Sequence, residues 1–394
     1  MTEQATDADA SSDAAMRVKR RAVLDRTRSI VVKVGTNVLS GSDDRVDEDR
    51  IRSLSSDMAA IRHAGRRVVL VSSGAVGIGL GMMGQADRPS ELPKLQAAAA
   101  LGQARLIRSY DDALAPFGLH AAQLLLTGND FKDRRRYLNT RNTLSALAAV
   151  DCVPIVNEND TVSVREIKFG DNDRLAALVT SLMPSPLLVI LTTADGLLDG
   201  PPNASGSRRI PLVEDWTDEL RAVATSDRSR RGTGGMRSKL DAVRMATGVG
   251  ENVIVADGRQ PDTLTAILAG EDRGTLFTAD PHSMPAWKRW IAQAVPPAGT
   301  LAVNAGAHDA IVNGGRSLLA AGVVGVDGEF GRGDVVAVAC DGAVFARGLV
   351  TYDRDDAARI AGRKSSEFAE ILGDCPYREL VHRDNLVLLE AAKG

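Results

Sequence analysis

The chain's patterning predicts an α/β fold: a three-layer αβα sandwich around a mostly parallel central sheet, followed by a small β-rich domain. Three observations carry this prediction. From Ser29 onward, short β-branched runs alternate with longer stretches of helical period. Polar residues gather where the runs end. Near Pro296-Pro297 the alternation gives way to short apolar runs separated by Gly, Asn and Asp. Strands alternating with helices imply βαβ units and a sheet covered on both faces. Ligands of such sheets gather at the carboxyl ends of the strands.

The elements follow in order. Residues 1–28 are rich in Ala, Ser and Asp, then basic, without sustained periodicity, and are expected to form a disordered leader. SIVVKVGT reads as a buried strand. Glu48 to Ala64 has a helical stripe (Ile51, Leu54, Met58, Ile61) closed by Gly65. RRVVLVSSGA is a second strand with a sharp stop. Ala97 to Leu114 is a helix, HAAQLLLT a strand, and Arg141 to Val150 another helix. VPIV, LLVILTT and ENVIVADG continue the sheet, with RLAALVTSLM and KLDAVRMATGVG as helices between them. TLAVNAGA, DVVAVAC, AVFARGLVTY and LVLL belong to the β-rich part.

The length of 394 residues suits two domains, and 44% hydrophobic with 25% charged residues is ordinary globular composition. A net charge of −3 gives no global attraction to nucleic acid or an anionic membrane. No apolar run approaches the ~18 residues that a membrane span needs. Three cysteines (Cys152, Cys340, Cys375) lack paired spacing and read as reduced thiols, so a cytoplasmic location is expected. The five histidines are scattered without ligand spacing, and no metal-ligating set is expected from the protein.

The richest stretch is PIVNENDTVSVREIKFGDND, from Pro154 to Asp173. Asn157, Asn159 and Asp160 follow a strand directly, and their amides and carboxylate can hold an α-amino and an α-carboxylate group together. An Asx-turn is the plainer alternative. Asp171, Asn172 and Asp173 precede a helix, where one of them serves as N-cap. Lys168 adds a cation to the same neighbourhood, and a carboxylate between cations could orient lysines or a metal.

Lys33 lies within an apolar strand, where a charge asks for a counter-ion such as phosphate; snorkelling to the sheet edge is the alternative. Ser72-Ser73-Gly74 ends the second strand and offers backbone donors to an anion, or a simple helix cap. Gly232 to Lys239 (GTGGMRSK) is a loop whose glycines suit close approach to phosphate, with Lys239 in the first helical turn. A surface linker would look similar. Gly79-Leu-Gly81-Met-Met-Gly84 spells GxGxxG but begins eight residues after its strand and runs through a helical segment, so it is no dinucleotide fingerprint.

With these residues together, the chain resembles the glutamate 5-kinases of the amino-acid kinase family. The resemblance runs from Ile30 to about Leu386 through VVKVGTNVL, VSSGAV, LLLT, DRRRYLNTRNTL, PIVNENDTV, EIKFGDND, LLVILTTADGL and GTGGMRSK. The C-terminal part resembles a PUA module through PPAGTLAVNAGA, SLLAAGV, GEFGRGDVV and ARGL. The implied layout is a kinase domain over 29–280, a linker over 281–296, a PUA domain over 297–385 and a tail over 386–394.

The resemblance implies transfer of the γ-phosphoryl of ATP to the side-chain carboxylate of L-glutamate. Mg²⁺ would be held mainly by the nucleotide phosphates. Lys33 and Lys239 would stabilise phosphoryl charge, and Asp173 would hold them in place. Ser73, Asp160 and Asn172 would bind glutamate, with Asn157 and Lys168 close by. Lys33, Thr192, Thr193 and the loop Thr233, Gly234, Gly235, Met236, Arg237, Ser238 and Lys239 would contact the nucleotide. Many relatives have Thr-Asp after the nucleotide-side strand, whereas here Thr192 is followed by Thr193-Ala194-Asp195. The family also suggests a homo-oligomer, proline as feedback inhibitor and coupling to glutamyl phosphate reductase. PUA modules often bind RNA, but residues 297 to 385 carry nine Lys and Arg against thirteen Asp and Glu, the wrong sign for tracking phosphates.

Overall fold

The structure, a computed structural model, describes residues 3–39, 47–85, 87–131, 133–162, 172–200, 204, 206–216, 235–279, 296–373 and 377–389. The chain divides into two compact units, Met1–Ser283 and Met284–Gly394.

Among the described residues the first unit is built on eight strands: β1 (Ser29–Val34), β2 (Arg67–Ser72), β3 (His120–Leu126), β4 (Cys152–Glu158), β5 (Pro186–Thr192), β6 (Leu212–Val213), β7 (Asn252–Asp257) and β8 (Thr275–Phe277). Their spatial order is β3-β4-β2-β1-β5-β7-β8-β6. All pairings are parallel except β7 with β8. β1 is central, with Val34 opposite Ser72 on one side and Leu191 on the other. The carboxyl ends of β1, β2, β4 and β5 therefore share one edge.

Side-chain alternation along β1 decides what meets what. Ile30, Val32 and Val34 enter one core cluster with Met58, Leu106 and Leu264. Val31 enters the opposite cluster with Leu175, Val179, Leu240 and Val243. Lys33 has the parity of Val31, so it belongs to the face covered by the helices Asp173–Thr180 and Met236–Thr247.

The helices start where local capping allows. Asp47 accepts hydrogen bonds from the N–H groups of Asp49 and Arg50 and opens Glu48–His63. Asp133 accepts from Arg136 N–H and opens Arg134–Leu147, seven residues before the expected Arg141. Helix Leu92–Leu114 begins with a proline in its first turn and so precedes the expected Ala97.

This helix crosses Ala75–Met82 with backbone against backbone. A Cβ on Gly79 would sit 1.7 Å from Ala98 O, and one on Gly102 would sit 1.8 Å from Ala75 O. The GxGxxG-like run thus includes a glycine needed for helix packing.

The expected disordered leader needs correction, because Glu3–Arg26 is a helix. Met16, Arg20 and Leu24, four residues apart, are buried. Arg20 donates to the carbonyls of Pro211 (3.2 Å), Arg273 (2.9 Å) and Gly274 (2.6 Å) and pairs with Asp272 at 3.1 Å. Burial holds its guanidinium below the usual range, and Asp272 opposes that shift. A buried arginine at the centre of a short apolar stripe hides the stripe from a periodicity reading.

The second unit has a five-stranded sheet in the order β10-β9-β11-β12-β13. The strands are β9 (Gly299–Val303), β10 (Val323–Gly328), β11 (Val335–Cys340), β12 (Ala343–Leu349) and β13 (Leu386–Leu388). Its own core includes Leu301, Val336, Val338, Tyr352 and Phe368. The expected tail from residue 386 also needs correction, since Leu386 to Leu388 pair antiparallel with Gly348 to Ala346 as an edge strand. Cys152 and Cys340 are free thiols, while Cys375 lies outside the described residues.

Candidate active site

Two turns of chemistry meet at the shared strand edge. Lys33, one residue from the end of β1, forms an ion pair with Asp173, the first residue of its helix. Lys239, in the first turn of Met236–Thr247, places Nζ 3.2 Å from Asp173 Oδ2. Ser238 Oγ donates to the same oxygen at 3.5 Å. The side chains of Lys33, Asp173 and Lys239 are 4%, 0% and 9% exposed. One buried carboxylate thus positions two ammonium groups. Fixed cations in a water-poor site can meet phosphoryl oxygens with little reorganisation.

Asn172 stands at the N-cap position beside them, yet its side chain caps nothing. Its Nδ2 donates instead to Ser72 O and to Asn157 Oδ1, both at 2.7 Å. Asn157 Oδ1 also accepts from Glu158 N–H at 2.9 Å. Asn157 Nδ2 donates to Gln103 Oε1 at 2.7 Å. Ser72 Oγ and Tyr110 Oη share a hydrogen bond of 3.0 Å. Burial pushes the Tyr110 hydroxyl up, with the Ser72 bond opposing, so it stays protonated.

Ser73 is buried, and its Oγ has no hydrogen-bond partner among the described residues. Gly74, at φ 105°, makes the turn into Ala75–Met82 in a backbone region that strains any side chain.

Asp160 is half-buried and lines a cleft of ≈ 220 Å³ with Gln103, Gln123, Glu158, Asn159 and Thr161. Asn159 is used by the turn: its N–H donates to Leu126 O, and its Oδ1 accepts from Thr161 Oγ1 at 2.6 Å. Asn159 Oδ1 thus meets a hydroxyl rather than the backbone N–H that an Asx-turn uses, whereas Asn157 is hydrogen-bonded to Asn172 beside Asp173.

On the other side, Thr192 ends β5, buried and opposite Asp257 of β7. Thr193 is exposed, and its carbonyl accepts from Arg259 at 2.7 Å. Gly235 is the N-cap of Met236–Thr247 without a side-chain cap. The first-turn N–H groups of Met236, Arg237 and Ser238 are thus oriented toward an anion that a ligand could bring. Lys168, Thr233 and Gly234 lie outside the described residues.

Sequence reasoning did not single out Gln103, Tyr110 or the carbonyl of Ser72. For Gln103 a signal existed: it shares the buried face of Leu92–Leu114 with Ala99, Leu106 and Tyr110, where a polar residue needs a reason.

The amino acid kinase family matches residues 28–257, and the PUA domain matches residues 299–372. A glutamate 5-kinase of Syntrophotalea carbinolica is 45% identical over 372 residues, covering 94% of this chain and 99% of its own. One from Syntrophus aciditrophicus is 42% identical over 380 residues, covering 96% and 98%. One from Geobacter sulfurreducens is 44% identical over 372 residues, covering 94% and 100%. The chain belongs to the amino acid kinase family and, within it, to the glutamate 5-kinases, with a PUA domain in its C-terminal unit.

Proposed function

We propose that the chain transfers the γ-phosphoryl group of ATP to the side-chain carboxylate of L-glutamate, giving L-glutamyl 5-phosphate, the first step toward proline. The carrying observation is the buried Lys33–Asp173–Lys239 cluster joined through the adjacent Asn172 to Asn157 and the cleft at Asp160. Cations for a phosphoryl group and amides for an amino acid thus meet at one strand edge. The names of its relatives supply the substrate.

A γ-carboxylate is already a nucleophile at neutral pH, so the reaction needs no general base. Lys33 and Lys239 draw negative charge from the transferring group and the departing diphosphate, while Asp173 keeps both ammonium groups in place. The polar cleft and the amide chain orient glutamate, which converts two mutually repelling anions into an aligned pair. Among the described residues no group of three or more His, Cys, Asp or Glu is arranged to hold a metal. Phosphate oxygens are donors of the kind Mg²⁺ prefers, so the ion would be carried mainly on the nucleotide, where it would supply further charge neutralisation.

The same proposal includes a cytoplasmic homo-oligomer that proline inhibits and that works with glutamyl phosphate reductase. No helix among the described residues is long and apolar enough to cross a membrane. The test is an ATP-dependent hydroxamate assay with glutamate, with and without proline. Turnover of aspartate or N-acetylglutamate, but not of glutamate, overturns the assignment.

A further inference from the structure

Gln103 is 8% exposed, and its two amide ends have different fates. Oε1 accepts from Asn157 Nδ2 at 2.7 Å, whereas Nε2 is buried with no hydrogen-bond partner among the described residues. Reversing the amide does not relieve this. Glu158 N–H can only donate, and it donates to Asn157, so Asn157 must present its oxygen there and its NH₂ group to Gln103. At the other end, the carbonyl of Ser72 can only accept, so Asn172 must present its NH₂ group. Two backbone groups therefore fix three side-chain amides, and the leftover donor falls on Gln103.

A buried donor without a partner calls for an acceptor. Gln103 also lines the ≈ 220 Å³ cleft with Glu158, Asn159, Asp160 and Thr161. It stands two amide links from Asn172, whose neighbour Asp173 anchors the phosphoryl-transfer lysines. The carboxylate that reacts must lie at the lysine end. The acceptor at the Gln103 end is then the other carboxylate of a dicarboxylic amino acid.

Resting on the function proposed above, we propose that Gln103 Nε2 donates a hydrogen bond to the α-carboxylate of the substrate and makes the site select an acceptor there. Asp160, in the same cleft, is placed to receive the neighbouring ammonium group.

The test uses the full chain and two substrates, L-glutamate and L-isoglutamine, which keeps the γ-carboxylate but carries an α-carboxamide. Gln103→Glu is close to isosteric and still accepts from Asn157, but it turns an acceptor toward the substrate. The preference for glutamate over isoglutamine, as a ratio of kcat/KM values, is expected to fall by at least ~10-fold, mainly through the KM for glutamate. The KM for ATP should stay within about twofold. Gln103→Met, which neither donates nor accepts, should lower the same ratio and serves if the first variant does not fold. An unchanged ratio in a folded variant overturns the inference, including equal losses for both substrates, which mark a structural role only. A parent enzyme inactive on glutamate but active on another amino acid overturns the proposed function instead, and the role of Gln103 with it.

Discussion

Asn172 Nδ2 lies 2.7 Å from Asn157 Oδ1, and this hydrogen bond joins two polar clusters into one site. Asn172→Asp replaces the shared donor with an acceptor facing two acceptors, Ser72 O and Asn157 Oδ1. Leaving such buried groups unsatisfied costs about 1–3 kcal/mol each. The variant should melt lower and show a KM for glutamate raised at least ~10-fold, with a smaller change for ATP. Steady-state kinetics with each substrate varied in turn, together with a thermal melt, check this.

Asp173 pairs with both Lys33 and Lys239, and in the proposed reaction it acts through them. In Asp173→Asn the two cations lose their shared carboxylate, and breaking a buried pair in this way costs about 3–5 kcal/mol of stability. We expect kcat to fall by about 10²–10³, the range for losing one element of electrostatic preorganisation. Lys239→Met should lose turnover while still binding glutamate. Calorimetric titration with glutamate beside single-turnover kinetics separates binding from transfer.

Gly102→Ala would set a methyl group 1.8 Å from Ala75 O, forcing the helices Ala75–Met82 and Leu92–Leu114 apart. Such overpacking costs about 1–3 kcal/mol or more, so the melting temperature should drop sharply. Gly81→Ala, in the same helix pair but with nothing within 4 Å, should hold or raise it. Differential scanning calorimetry of the two variants reads the contrast.

Asp57 accepts from Thr265 Oγ1 at 2.7 Å and from Leu264 N–H at 3.2 Å. Burial still pushes its carboxyl above the ordinary range, against those bonds and with Asp262 adding to the rise. The folded chain therefore binds this proton more tightly than the unfolded chain. The stability it contributes is full below the ordinary value of about 3.9 and is lost as pH rises through the folded value. Asp57→Asn should remove that fall. Denaturation midpoints measured between about pH 4 and 7 should show a flatter profile for the variant.

The strands were legible because a buried parallel sheet needs continuous β-branched runs, and Lys33 stood out because a charge breaks such a run. Asp173, Asn157 and Lys239 were legible as polar residues at element ends. What could not be read were long-range partners. The carbonyl of Ser72 meets Asn172 across 100 residues, and Gln103 meets Asn157 across 54, with no local pattern marking either bond. Asn172 looked like a cap because caps and ligand-binding amides use the same residue types at the same position. Arg20 reads as part of a disordered leader because its four-residue neighbours Met16 and Leu24 make too short a stripe to register.

That arginine also sets an order of events during synthesis. Its bond to Gly274 O spans 254 residues, and those to Pro211 and Arg273 are nearly as long. At roughly 5–20 residues per second, the ribosome needs on the order of 10–50 s to deliver these carbonyls after Arg20 itself has been made. The helix Glu3–Arg26 thus gains its Arg20 carbonyl bonds only late in synthesis. Nascent chains halted before residue 274 would lack the bond from Arg20 to Gly274 O, and Met16 and Leu24 should be more open to protease in them than in the full chain.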